Sequence, residues 1–226
     1  EDLFEFHIYQ SHLEILHMLN VKYVIQPSES GTPSLAINQN ANGNAWFVKE
    51  LVGVKDHNDW LQGLNGLNTK SQASLLLSDL EFFKENGLIQ PNTVSGAYVI
   101  GDLKEDNLPN NLLNDRDIIP SIDLISYSPN RMLYQSNHSD RGFAVFSEMH
   151  YPSGWTASID GELAPIKKVN YALRGIEVPK GSHEIVFEYK PGVVYQGSKI
   201  ALLSYFIFTL LMGIGIYYAF KKKSIQ

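Results

Sequence analysis

The densest run of side chains suited to binding chemistry lies between Glu148 and Arg174. Within these 27 residues the chain combines carboxylates, a carboxamide, aromatic rings and a guanidinium. An aromatic ring that stacks on the C–H face of a sugar, beside groups that form paired hydrogen bonds to hydroxyls, is typical of carbohydrate recognition. The candidate glycan-binding residues are Trp155, Asp160, Asn170, Tyr171 and Arg174.

The same residues also have a structural interpretation. Trp155 would fill a core, Asp160 and Asn170 would satisfy turns, and Arg174 would pair with an acid such as Glu148 or Glu177. A third interpretation makes the carboxylates of Glu148 and Asp160 a glycosidase pair, although the sequence does not fix their separation. The sequence predicts no catalytic residue here.

Other catalytic and metal-binding patterns are missing from the sequence. There is no cysteine and no Gly-x-Ser-x-Gly motif, so no familiar nucleophile stands out. His7, His12 and His17 recur every five residues, which turns each about 140° from the last on a helix and scatters them around it. We therefore predict no metal site and no cofactor.

Regular short strands must position the candidate residues. Strand-like runs recur about every ten residues, and Asp160-Gly161 is a preferred pair for a two-residue hairpin turn because both positions need positive φ. This spacing predicts an antiparallel β-sandwich over 119–192. The seven predicted strands are Asp123–Tyr127, Arg131–Ser136, Phe143–Met149, Trp155–Ile159, Glu162–Val169, Ala172–Val178 and His183–Tyr189.

A small α/β region is predicted over 1–118, so the fold class is α+β. Its expected helices are 7–20, which Asn20 can cap, and 56–67, which begins at an Asp or Asn cap. Its expected strands are 21–25, 45–54 and 97–100. Residues 28–44 are expected to form a loop and 91–116 a polar connector, whereas 73–77 are either a strand or part of a helix that runs on to Asn86.

The C-terminus carries the features of a membrane anchor. Ile200 to Phe220 contains 21 residues without a charge, and such a helix is about 31 Å long, the thickness of a bilayer's hydrocarbon core. Lys221, Lys222 and Lys223 follow it and favour the cytoplasmic side. We predict a transmembrane helix at 199–220, a cytoplasmic tail at 221–226 and an extracytoplasmic location for 1–198. The alternative is a buried helix of a soluble protein.

Charge and termini limit the function classes further. Four of the 18 Lys and Arg residues flank the apolar run, which leaves 14 against 24 Asp and Glu, a formal charge of −10. This acidic surface excludes a nucleic-acid partner. The first residues lack both an initiator Met and a signal sequence, although an outer domain must be carried across the membrane. We therefore expect the chain to be part of a longer protein.

Three stretches carry a resemblance to a known family. They are Val145–Glu148 with Tyr151–Trp155 and Ile159–Gly161, then Asn170–Gly175, then Val178–Ile185 with Phe187–Pro191. Together they closely resemble the C-terminal region of the YfhO family of bacterial multi-pass membrane proteins. Segments 19–25 and 44–48 fit more loosely, and the specific part spans about 143–191.

The resemblance implies a polytopic protein similar to GT-C glycosyltransferases, which use polyprenyl-phosphate sugars at the outer membrane face. Members are linked to glycosylation of envelope polymers such as lipoteichoic acid, and their catalytic carboxylate lies in an early extracytoplasmic loop. The chain would then be a non-catalytic outer portion that positions the acceptor glycan or covers the site. Its partners would be the bilayer, a lipid-linked sugar and an envelope glycan. The alternative is a single-pass anchored module that binds a glycan or a protein.

Overall fold

The structure, a computed structural model, describes residues 13–26, 33–91, 97–100 and 120–223. The start of the predicted first helix (7–12), most of the expected connector (91–116) and the last three residues lie outside the described ranges. The helices are α1 (Leu13–Met18), α2 (His57–Gly63), α3 (Leu77–Glu85) and α4 (Gly192–Lys223). A single 3₁₀ turn, Leu64–Gly66, follows α2.

The strands number fifteen within the described residues. In the first region they are β1 (Tyr23–Gln26), β2 (Ser34–Ile37), β3 (Ala45–Val48), β4 (Glu50–Val54), β5 (Gln72–Leu76), β6 (Ile89–Pro91) and β7 (Tyr98–Ile100). In the second they are β8 (Ser121–Ser128), β9 (Arg131–His138), β10 (Gly142–Met149), β11 (Trp155–Ile159), β12 (Glu162–Ala164), β13 (Lys167–Val169), β14 (Leu173–Val178) and β15 (Gly181–Tyr189). The predicted α+β class is confirmed.

Two antiparallel sheets form the β-sandwich. One sheet has the order β12-β11-β15-β9-β8 and the other the order β13-β14-β10-β3. The core between them is aromatic: the Phe146 ring centroid lies 4.9 Å from that of Tyr134 and 4.8 Å from that of Phe187, both edge to face. These rings reach the same core because every second side chain of a strand points to the same face of its sheet.

The four-stranded sheet is buried on both faces. Along β10, Ala144 and Phe146 belong to the sandwich core, whereas Phe143 and Val145 pack against the α/β region on the other face. Phe83 of α3 meets Phe143 edge to face at 5.3 Å. This sheet also takes its strand β3 from the first region, so the hydrogen-bonded structure runs across the expected unit boundary near residue 118.

Two predicted strands are each split between two sheets. The run 45–54 forms β3 and β4, which separate at Lys49, and the run 162–169 forms β12 and β13, which separate at Pro165 and Ile166. In both cases the chain leaves one sheet and enters another. Strand periodicity alone does not reveal such a crossing, because both halves keep it.

The α/β region contains a β4-α2-β5 unit whose strands run parallel. Asp56 caps α2 as expected, accepting hydrogen bonds from the backbone N–H groups of Asn58 and Asp59 at 2.9 Å each. The ambiguous run after residue 72 contains both elements, strand β5 and then α3. Asn20 ends α1 in the left-handed conformation (φ 54°), and β2 lies inside the expected loop 28–44.

Helix α4 is continuous from Gly192. Within Gly192–Tyr217 the most apolar window of 18 residues has a mean hydropathy of 2.1, and none of that window is buried against the rest of the protein. Helix α4 is the one helix among the described residues that is long and apolar enough to cross a membrane. Residues 193–198, which lie between the predicted sandwich and the predicted transmembrane helix, are therefore helical as well, and at 1.5 Å per residue they add about 9 Å to the helix.

Candidate functional site

Trp155 and Arg174 meet at one end of the sandwich. Trp155 begins β11 in the five-stranded sheet, and Arg174 lies on β14 in the facing sheet, where it pairs with Phe146 of β10. The Arg174 guanidinium carbon lies 4.1 Å from the centroid of the Trp155 ring and 5.6 Å from that of Phe187. A guanidinium over an aromatic face is attracted by the ring's negative quadrupole.

Arg174 is buried (3% exposed) yet scarcely hydrogen-bonded. Its Nε donates to the Met149 carbonyl oxygen at 2.9 Å, while Nη1 is buried and finds no acceptor among the described residues. Glu177, one of its expected partners, pairs with Arg141 instead. Glu148 acts on Arg174 only through its charge, with no contact within 4.0 Å in the described chain. The expected ion pairs are therefore wrong.

Burial and local charge shift the ionisation of three neighbouring groups. Burial lowers the pKa of Arg174, and it raises the pKa of Glu148 more than the nearby guanidinium lowers it. The pKa of His150 is lowered first by burial and then by the positive charges of Lys168 and Arg174. Positive charge thus predominates at this end of the sandwich, and a bound anion would complement that charge.

A pocket of about 360 Å³ opens beside Arg174. It lies under the crossover at Pro165, where the chain passes between the edge strands β12 and β13. Its volume falls within the range of small-molecule sites, about 300–1,000 Å³. The lining residues are His150, Tyr151, Pro152, Trp155, Thr156, Ala157, Leu163, Ala164, Pro165, Ile166 and Arg174.

Gly154 fixes the loop that precedes Trp155. Its φ is 89°, and a Cβ there would lie 2.8 Å from the Tyr189 ring and 3.1 Å from the Pro191 Cα. Its carbonyl accepts a hydrogen bond from the Lys190 N–H at 2.7 Å. The Trp155 ring consequently packs on Tyr189, with centroids 5.2 Å apart. The pocket therefore lies at the end of the sandwich from which α4 departs.

Asp160 lies at the far end of β11 and has a turn role. With Gly161 it forms the predicted hairpin turn (φ 50° and 91°). One carboxylate oxygen accepts from the Glu184 N–H at 2.8 Å, and the other lies 2.6 Å from His183 Nδ1. The hydrogen bond to His183 is the main cause that lowers the pKa of Asp160, and it raises the pKa of His183. About 13 Å of strand separates this turn from Trp155.

Asn170 and Tyr171 also lie away from the pocket. Both have positive φ (47° and 67°), and the turn that they form docks on the α/β region. The fully buried Asn170 accepts a hydrogen bond from the Ser74 N–H at 2.8 Å through Oδ1. Tyr171 meets Trp60 edge to face at 6.2 Å. Of the five candidate residues, only Trp155 and Arg174 meet at the pocket.

The site contains residues that the sequence interpretation missed. His150, Tyr151 and Leu163 line the pocket, and Leu163 is 81% exposed. Pro165 was the sequence signal for the crossover that covers this pocket, since proline seldom lies inside a paired strand and often marks the end of one. No group of three or more His, Cys, Asp or Glu able to hold a metal ion occurs among the residues that the structure describes.

Part of the chain matches a known protein family. Residues 120–201 match the family described as bacterial membrane protein YfhO, which covers strands β8 to β15 and the start of α4. The resemblance expected from the sequence is confirmed over this part of the chain. No curated protein and no solved structure matches the chain significantly.

Proposed function

We propose that this chain is the outer, non-catalytic portion of a membrane protein that transfers a sugar from a polyprenyl-phosphate donor to a cell-envelope glycan or polymer. Residues 1–198 would lie outside the cytoplasm and the C-terminus inside. The observation that carries the proposal is the open pocket at the α4 end of a sandwich that matches a bacterial membrane protein family. In this position the portion would hold the acceptor or cover the reacting groups.

The separation of the carboxylates supports a non-catalytic role. A glycosidase pair needs carboxyl groups about 5–9.5 Å apart. Glu148 is close enough to Arg174 to act on its charge, whereas Asp160 lies at the opposite end of β11 and is engaged in its turn. The structure therefore gives no support to a hydrolase that uses Glu148 and Asp160.

Tyr151 is the aromatic ring best placed to stack on a sugar. The Trp155 ring already carries the Arg174 guanidinium at 4.1 Å and packs on Tyr189. Tyr151 lines the same pocket and is 56% exposed. Trp155 would thus form a wall of the site, and Tyr151 would contact the glycan.

A transfer assay tests the proposed activity. Membranes with and without the protein would receive a radiolabelled sugar on polyprenyl phosphate, and label would be counted in envelope polymer. We expect transfer only where the protein is present. Tyr151→Ala would raise KM for the acceptor and spare kcat, and Glu148→Gln would change neither by more than about twofold. Equal labelling in both membranes would refute sugar transfer.

The size of the native polypeptide separates the transferase from an anchored binding module. An antibody against residues 120–190 would detect, in source membranes, a band several times larger than 25.4 kDa if the parent is polytopic. A band near 25.4 kDa, together with glycan binding by the chain, would favour the single-pass module.

Cysteine labelling tests the orientation, because the chain contains no cysteine. An impermeant maleimide is expected to label Asn130→Cys, in an exposed turn, on intact cells. It is expected to label Ser224→Cys only after permeabilisation. The reverse pattern would overturn the proposed topology.

A further inference from the structure

The unused donors of Arg174 point to a ligand from outside the chain. A guanidinium has five N–H donors, and in the described residues only Nε–H of Arg174 has an acceptor, the Met149 carbonyl oxygen. Nη1 is thus buried without a partner, and Nη2 has no acceptor among the described residues either. Both nitrogens belong to Arg174, which is only 3% exposed and lines the pocket.

A buried guanidinium without an acceptor does not stabilise the fold by itself. Removing a cation from water is costly unless an anion and hydrogen bonds replace the lost hydration. Glu148, the acid whose charge acts on Arg174, makes no ion pair with it within the described chain, and burial raises the pKa of Glu148. Stacking on Trp155 supplies only part of the missing solvation. An anion in the pocket would supply the rest.

The pocket's surroundings favour an anion that carries an apolar part. His150 lines the pocket with Arg174, and Lys168, the cross-strand neighbour of Arg174, adds positive charge close by. The rest of the lining is largely aliphatic or aromatic, and Leu163 stands 81% exposed at its edge. Tyr151, also 56% exposed, has a ring and a hydroxyl suited to an interface between water and lipid.

The location supplies such an anion. Trp155 pairs with Tyr189, and α4 begins three residues later at Gly192. The helical turns between Gly192 and the uncharged run at Ile200 are about 12 Å long, and the headgroup layer on one side of a bilayer is about 5–8 Å thick, so the start of α4 lies only a few Å above that layer. The mouth of the pocket is therefore within reach of lipid phosphates if α4 crosses the membrane.

We propose that the Arg174 pocket binds a phosphate ester, with the two terminal nitrogens of Arg174 donating to phosphate oxygens. At a bilayer surface the phosphate is that of a lipid headgroup, whose glycerol portion lies against Leu163 and Ile166. The fork of a guanidinium matches two phosphate oxygens, and charge-assisted hydrogen bonds of this kind are among the strong ones. This inference rests on the membrane location and does not depend on sugar transfer.

The test uses the full chain in a polyoxyethylene detergent, which has neither phosphate nor sugar. Dihexanoyl phosphatidylglycerol, glycerol 3-phosphate and dihexanoylglycerol would each be titrated, and tryptophan fluorescence and the melting temperature recorded. We expect the two phosphate esters to bind and dihexanoylglycerol, which lacks the phosphate, not to bind. Tighter binding of the lipid identifies the headgroup as the source, and equal binding identifies a soluble phosphate ester.

Arg174→Met separates binding from folding. Replacing an unpaired buried cation by an apolar side chain of similar length is expected to leave the melting temperature unchanged or higher. Affinity for the phosphate esters is expected to fall about ten- to hundredfold. Unchanged affinity in this variant, or failure of both esters to bind the parent chain, would overturn the proposal.

A second variant leaves the buried arginine in place. Leu163→Glu puts a negative charge at the mouth of the pocket and is expected to weaken phosphate binding severalfold. The matched control is Ile125→Glu, an exposed apolar residue (59%) on β8 at the opposite edge of the same sheet. Equal effects of the two changes would count against the pocket. If the chain binds an uncharged glycan but neither phosphate ester, and Arg174→Met loses that binding, the pocket is a sugar site and the phosphate proposal is overturned.

Discussion

Asn170 offers a sharp test of whether a sequence-predicted glycan residue has a structural role. Its side chain is fully buried and joins the sandwich to the α/β region by accepting a hydrogen bond from the Ser74 N–H at 2.8 Å. Its backbone N–H donates to the Ser74 carbonyl at 2.9 Å, and its φ of 47° is left-handed. Asn170→Ala should therefore destabilise the fold in two separable ways.

The magnitudes follow from these contacts. Loss of the Oδ1 acceptor leaves the Ser74 N–H buried and unpaired, which costs about 1–3 kcal/mol. An alanine in the left-handed region adds roughly 1 kcal/mol, because asparagine tolerates this conformation better. We expect Asn170→Ala to lower the free energy of unfolding by about 2–4 kcal/mol. Asn170→Gly loses the same acceptor without the strain, so the free energy of unfolding of the glycine variant should be about 1 kcal/mol higher than that of the alanine variant.

Urea denaturation of the detergent-solubilised chain measures both variants. With an m-value of about 2 kcal/mol/M, the midpoint of Asn170→Ala should fall by about 1–2 M. Asn58→Ala, at an exposed position of α2, is the control and should change stability by less than about 0.5 kcal/mol. Unchanged midpoints in both Asn170 variants, with glycan binding lost, would refute the structural role and restore Asn170 as a ligand contact.

Three further predictions concern the loop, the hairpin turn and the ring at the pocket. Gly154→Ala meets both strain and close contacts, whereas Gly161→Ala, with φ 91° and open space around it, meets strain alone; thermal melting should show the larger loss for Gly154→Ala, and equal losses would contradict the contacts. The raised pKa of His183 means that this residue stabilises the fold below its ordinary pKa of 6.5 and that the contribution is lost as pH rises through the raised pKa. His183→Gln should therefore flatten the fall in melting temperature above about pH 6.5, Asp160→Asn should flatten it equally, and an unchanged slope in either variant would disprove the linkage. Trp155→Ala should lower the melting temperature strongly, because the ring packs against the sandwich core and covers a buried guanidinium; a native melting transition with lost glycan binding would contradict this.

Local residue types were enough to predict much of the fold. The Asp160-Gly161 turn, the Asp56 cap and the uncharged run after Lys199 each specify a structure from a few neighbouring residues. Turns, caps and apolar helices depend on backbone geometry and on nearby side chains, so their signals are present in the sequence itself. The family resemblance over the sandwich was likewise readable from short motifs and is confirmed for residues 120–201.

The sheet to which each strand belongs required the tertiary structure. The crossings at Lys49 and Pro165 put neighbouring residues into different sheets, and β3 pairs with β10 almost a hundred residues away. Pairing over such distances depends on the packing of whole layers, which no short window contains. The sequence therefore predicted the strands of this region better than their partners.

The candidate site shows the same division. Sequence pattern alone picked Trp155 and Arg174, and it grouped them with Asp160, Asn170 and Tyr171 because all five lie close together along the chain. The structure places Asp160 at the far end of β11 and Asn170 beneath the α/β region, and leaves Arg174 buried with unused donors beside a pocket. Residue types determined which chemistry is available, and the packing of the sheets decided which of those groups meet, because burial and distance are properties of the folded chain.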